Sequence, residues 1–183
     1  EFGADVGLAH GGGGDPALSF INVLSEYYGT PVAVRSPGDV SAFWPMDQGG
    51  QGQLGGGQPR RTSYGMNNWL SRTYNPGVYP TEPFDRLSKV PVPHGTVQFL
   101  LMTEVGDFAV SDHVHAEGWS PGPVNAPPAL ASGESKTNAW GGRAKGWGAM
   151  SNYGFLDGHA AGLTFQDVFK DWTRNSFDPK VAR

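Results

Sequence analysis

The chain has 183 residues, with 13 Lys and Arg against 17 Asp and Glu, and a formal net charge of −4. That length suits one domain of ordinary size with a real core; its 28 Gly and 15 Pro make it loop-rich, and 12 % aromatic residues are too much apolar surface to stay solvated. Mild acidity with scattered Lys and Arg argues against nucleic acid as a partner, zero Cys excludes disulfides, thiolate metal sites and a cysteine nucleophile, and the longest apolar run, 97–102, is interrupted by Gln98 and cannot span a bilayer.

Residues 1–14 end in four Gly and read as a flexible leader or cloning scar, the latter suggested by Glu1-Phe2. A helix is expected next. Asp15 can cap it, Pro16 suits its first position, and Leu18, Ile21, Leu24 and Tyr28 share one face. Gly29 and Pro31 stop it. Residues 31–34 suit a short strand, 36–39 a turn, and 45–61 a long Gln/Gly-rich loop. Residues 63–70 read as a strand running into a turn, and 74–85 as a Pro-punctuated loop. Residues 96–104 are the best strand in the chain and are expected at the centre of a sheet, with 108–110 pairing nearby. A second long loop is expected over 111–135. Residues 153–156 and 159–163 flank Asp157-Gly158 as the arms of a hairpin. Residues 164–167 resemble a capping box, and Phe165, Val168, Phe169 and Trp172 are spaced for a final helix. Residues 174–183 read as a polar tail, leaving 15–173 as a single α+β domain with a small antiparallel sheet and long loops.

The stretch most suggestive of chemistry is Asp112-His113-Val114-His115, followed by Glu117. On a strand, His113 and His115 project to the same side, as two imidazoles gripping one metal must. The competing reading is a solvent-exposed loop. Asp157-Gly158-His159 suffices as a turn, because Asp and Gly tolerate positive φ, yet it also offers a carboxylate and an imidazole to a cation. The candidate metal set is therefore Asp112, His113, His115 and Asp157, for Ca²⁺ or another divalent ion, and no other cofactor is implied. Glu104 and Asp107 flank a strand end, where carboxylates are usually solvated. Among Trp44, Trp69, Trp119, Trp140 and Trp147, the last three are candidates for stacking on a sugar; the alternative is that all are packing anchors. The sequence holds no Gly-x-Ser-x-Gly elbow, no P-loop and no dinucleotide fingerprint after a strand, so no catalytic residue is assigned.

Five blocks in order resemble the prepilin-like H-X9-DG family of bacterial proteins over about residues 17–165. They are the helix 18–28, the stretch 34–39, Thr62-Ser-Tyr-Gly-Met-Asn67, the stretch 86–104, and Asn152-Tyr-Gly-Phe-Leu-Asp157-Gly158-His159. Two departures stand out: Trp147 occupies the position of the namesake His, and Ser36 that of a Cys. The resemblance implies a pilin-like fold, with an N-terminal helix packed on a small antiparallel sheet. Asn152, Asp157, Gly158 and His159 would be a structural signature. The implied function is a non-enzymatic filament subunit of a type IV pilus or a type II secretion pseudopilus. Its partners would be other pilin-like subunits, the assembly machinery and, through an apolar helix preceding this segment, the inner membrane; its location would be extracytoplasmic. Two further readings stay open, a secreted carbohydrate- or surface-binding module using exposed Trp, and a metal-dependent enzyme using His113 and His115.

Overall fold

The computed structural model describes residues 19–30, 34–52, 59–71, 84–119 and 126–183. Five strands make the main sheet: β1 (Tyr64–Asn67), β2 (Val97–Leu101), β3 (His113–Val114), β4 (Met150–Phe155) and β5 (Ala160–Thr164), in the order β3-β1-β2-β4-β5. The best strand in the sequence, β2, is thus the central one. Its successive side chains point to opposite faces, Leu100 into one apolar cluster and Phe99 against the other. The larger cluster holds Val97, Leu100, Trp119, Tyr153, Phe155, Phe165, Phe169 and Phe177 among others. The smaller contains Phe20, Ile21, Met66, Leu70, Val90 and Leu156.

The sheet is mixed, which corrects the expectation of an antiparallel one. β1 runs antiparallel to β2 but parallel to β3, with Met66 opposite His113. The cause lies after β2. Residues expected to pair as a strand form a 3₁₀ turn instead, Asp107–Val110. That turn reverses the chain, and β3 lands beyond β1 rather than beside β2. A reversed strand on the far side of an antiparallel neighbour must lie parallel to that neighbour.

Among the described residues, helices are few and short. The expected N-terminal helix is two turns, α1 (Phe20–Val23) and α2 (Ser25–Tyr28), broken at Leu24, whose φ of −90° and ψ of 1° are not helical. Phe20 and Ile21 are buried, but Leu24, expected on the buried face, is 38 % exposed. Gly29 ends the second turn in the left-handed conformation, as expected of a stop signal. A third helix, α3 (Ala126–Glu134), lies inside the stretch expected to be a loop. Pro127 and Pro128 sit in its first turn, where a missing N–H costs nothing.

After the β4–β5 hairpin, α4 (Phe165–Val168) is one turn opened by the Thr164/Asp167 capping box. The expected longer helix ends there because Phe169 adopts extended backbone and begins β6 (Phe169–Asp171), which pairs with β7 (Arg174–Asn175). Phe165, Val168 and Phe169 are nonetheless all buried. The stretch expected as a polar tail is packed: Phe177 is fully buried, and Ser176 O accepts the N–H of Val97 at 2.7 Å. The expected leader, the start of the first helix, residues 31–33 and most of the Pro-punctuated loop lie outside the described residues.

Candidate functional site

Strand β3 carries the site. Its backbone is fixed by β1, where the Met66 N–H donates to Asp112 O at 2.8 Å. Asp112 is fully buried, and one carboxylate oxygen accepts from Ser19 Oγ at 2.6 Å. The other, Oδ1, lies 3.0 Å from His113 Nδ1. His113 Nε2 in turn lies 3.2 Å from His115 Nε2, with the two rings nearly perpendicular and their centroids 4.8 Å apart. His115 Nδ1 is 2.6 Å from Glu117 Oε1. The result is a continuous row: carboxylate, imidazole, imidazole, carboxylate. His113 is buried, whereas His115 keeps 31 % of its side chain exposed and forms the mouth. Phe108 covers one side of the His115 ring edge-on.

Two residues join the row that spacing could not reveal. Asn68, from the 3₁₀ turn after β1, donates from Nδ2 to Glu117 Oε1 at 3.0 Å. Glu134, at the end of α3, accepts the backbone N–H of His115 at 2.6 Å. Burial pushes the Glu134 carboxyl above its usual range, against the opposing pull of the His115 N–H and ring. Nothing local in the sequence links positions 68 and 134 to 115; the turn after β1 and the unforeseen helix α3 bring them there.

The other expected site residues fall elsewhere. Asp157 does not join the histidines, a correction to the candidate metal set. It sits on the β4–β5 turn, with β1 and β2 lying between β4 and β3 in the sheet. Its Oδ1 accepts from the His159 backbone N–H at 3.1 Å and lies 2.6 Å from His159 Nδ1. His159 stacks flat on Phe155 with centroids 4.3 Å apart. Those bonds to His159 lower the Asp157 carboxyl below its usual value. Asn152 is exposed on β4 opposite Gly162. Among the described residues, no group of three or more His, Asp or Glu side chains is arranged to hold a metal ion.

Glu104 is taken up structurally: it pairs with Lys136 at 2.5 Å and accepts the Val40 N–H. Trp119 is fully buried against Phe165, Phe169 and Phe177 and is not open for stacking, whereas Trp147 is half-buried with its ring packed on Phe165. Only Trp140 of the three sugar-stacking candidates is exposed, at 66 %. No family model, curated protein or solved structure matches the chain.

Proposed function

We propose that the chain is the globular head of a pilin-like structural subunit, acting by assembly outside the cytoplasm rather than by catalysis. The observation that carries this reading is one shared apolar cluster. Phe20 and Ile21 of α1 pack with Met66 of β1, Val90, and Leu156 of the Asp157-Gly158 hairpin. Phe20 also meets the Phe99 ring of the central strand, with centroids 5.3 Å apart. The first described helical turn, the Ser-Tyr-Gly-Met-Asn block and the hairpin are three of the blocks on which the resemblance rests. In a head carried on an N-terminal helix, the last turns of that helix must anchor to the sheet, and this cluster is such an anchor.

The test is the N-terminus of the native protein, read by mass spectrometry on material from the source cells' envelope. A processed, N-methylated first residue followed by about 20 apolar residues is the expected result. An ordinary signal-peptide cut with no such helix would overturn the filament reading.

A further inference from the structure

A tryptophan that serves only packing ends up buried, as Trp44 and Trp119 do. Trp140 is 66 % exposed, yet its backbone is fixed. The Trp140 N–H donates to Met150 O at 3.0 Å, and the Met150 N–H donates to Gly141 O at 2.9 Å. Four residues earlier, the Lys136 N–H donates to Leu101 O at 2.8 Å. The turn 136–140 is thus pinned to the end of β2 on one side and to the start of β4 on the other. It holds the indole in water from a tethered base.

The indole borders a cavity of about 140 Å³ that Ser36, Pro37, Gly38, Glu104 and Lys136 also line. Pockets that enclose a drug-sized ligand run to about 300–1,000 Å³, so this one takes the edge of a single small ring and leaves the rest at the surface. Glu104 Oε1 accepts the Val40 N–H and one hydrogen of Lys136 Nζ. Glu104 Oε2 and the other two Nζ hydrogens have no partner among the described residues. The Lys136 and Glu104 side chains are only 27 % and 17 % exposed, so their reach is restricted. A free acceptor and free donors therefore stand in set positions beside a bare aromatic face.

That combination matches a sugar. A pyranose ring offers a C–H face to an aromatic ring, and its hydroxyls both donate and accept, so one molecule can meet a carboxylate and an ammonium side by side. A protein partner fits less well. Val40 and Val105, next to Glu104, are exposed and apolar, but a charged pair between them runs against the depletion of charge at the core of protein interfaces. We propose that Trp140, Glu104 and Lys136 bind one hexopyranose unit of a neutral saccharide, its C–H face on the indole and its hydroxyls on Glu104 Oε2 and Lys136 Nζ. This inference is independent of the filament reading.

The experiment is saturation-transfer difference NMR on the whole chain, titrated in turn with cellohexaose, chitohexaose and maltohexaose. At least one is expected to bind saturably, with a midpoint of about 1 mM for a single ring on a single indole. Trp140→Ala should abolish the signal and leave the thermal midpoint unchanged, because the side chain is exposed. Trp140→Tyr keeps an aromatic face and should keep the signal. Lys136→Met removes one charge-assisted hydrogen bond and should weaken binding about 10-fold. No saturable signal from any of the three, well past the expected midpoint, would overturn the inference and return this face to a protein partner. A signal that survives Trp140→Ala would overturn it too, by placing the sugar elsewhere.

Discussion

Arg60 and Asp39 form an ion pair at 2.6 Å with both side chains almost wholly buried. Such a pair holds only if its remaining donors and acceptors are met. Arg60 donates to the carbonyls of Thr103 and Ala109, and Asp39 accepts from Ser63 Oγ and the Ser41 N–H. The Trp44 ring lies 5.7 Å from the Arg60 guanidinium and 4.6 Å from that of Arg35. One ion pair therefore ties the turn after Val34, the Trp44 loop, the approach to β1 and the end of β2 together. Burial pushes the Asp39 carboxyl up, but Arg60, Ser63 and Ser41 together outweigh it, and the group ionises below its usual value. Asp39→Ala would strand the buried guanidinium and should cost about 3–5 kcal/mol, read as a lower denaturant midpoint. The sign with pH follows. A lowered carboxyl contributes stability above the unfolded value of about 3.9 and loses it as pH falls through the folded value. Below about pH 4 the gap between wild type and Asp39→Ala should narrow. A constant gap would contradict the account.

Among the elements, the β4–β5 hairpin shows how much of a turn is dictated locally. Asp157-Gly158 between two apolar runs announces it, and the hairpin closes there, with the Phe155 N–H donating to His159 O at 2.9 Å. Gly158 has φ of 94°, and a Cβ added there would meet nothing within 4 Å. The cost of Gly158→Ala is then purely conformational, about 1–2 kcal/mol, and should appear in thermal melts without a change in near-ultraviolet signal. A neutral effect would mean that the turn relaxes. The central strand, this hairpin and the strand-into-turn at β1 were legible because hydrophobic alternation and turn residues act over a few positions. The helices were legible only in part: helical turns at 20–28 and 165–168 fall where expected, but their lengths and α3 do not. α3 hides behind Pro127 and Pro128, which look like loop residues unless the first turn of a helix is already known to start there. Phe165, Val168, Phe169 and Trp172 have helical spacing, yet the chain turns extended at Phe169 because β7 offers a partner from further along. Of the site, the His113/His115 pair could be read from alternation alone, whereas Asn68 and Glu134 arrive by tertiary packing that no local pattern encodes.

For the molecule as a whole, the two faces of the sheet are closed by opposite ends of the described chain. Phe20 and Ile21 cover one face; Phe165, Phe169 and Phe177 cover the other, around Trp119. Phe177 touches Trp119, Tyr153 and Phe169 and is the point where β4, the buried indole and the last residues meet. Phe177→Ala should cost about 3–5 kcal/mol, measured by chemical denaturation, because the site is hemmed by rigid rings that cannot collapse into the space. A loss below about 1 kcal/mol would mean that these last residues rest on the core without completing it.

The bond from Val97 N–H to Ser176 O has a consequence for how the protein is made. Asn67 ties the same knot, donating from Nδ2 to both Val97 O and Phe177 O. The N–H of the middle strand's first residue is therefore satisfied by an atom added to the chain much later, Ser176 O. At ribosomal speeds of about 5–20 residues per second, that strand waits roughly 4–16 s for its partner. Over that interval Trp119, Tyr153, Phe155, Phe165 and Phe169 are added one after another while Phe177, which completes their cluster, is still to come.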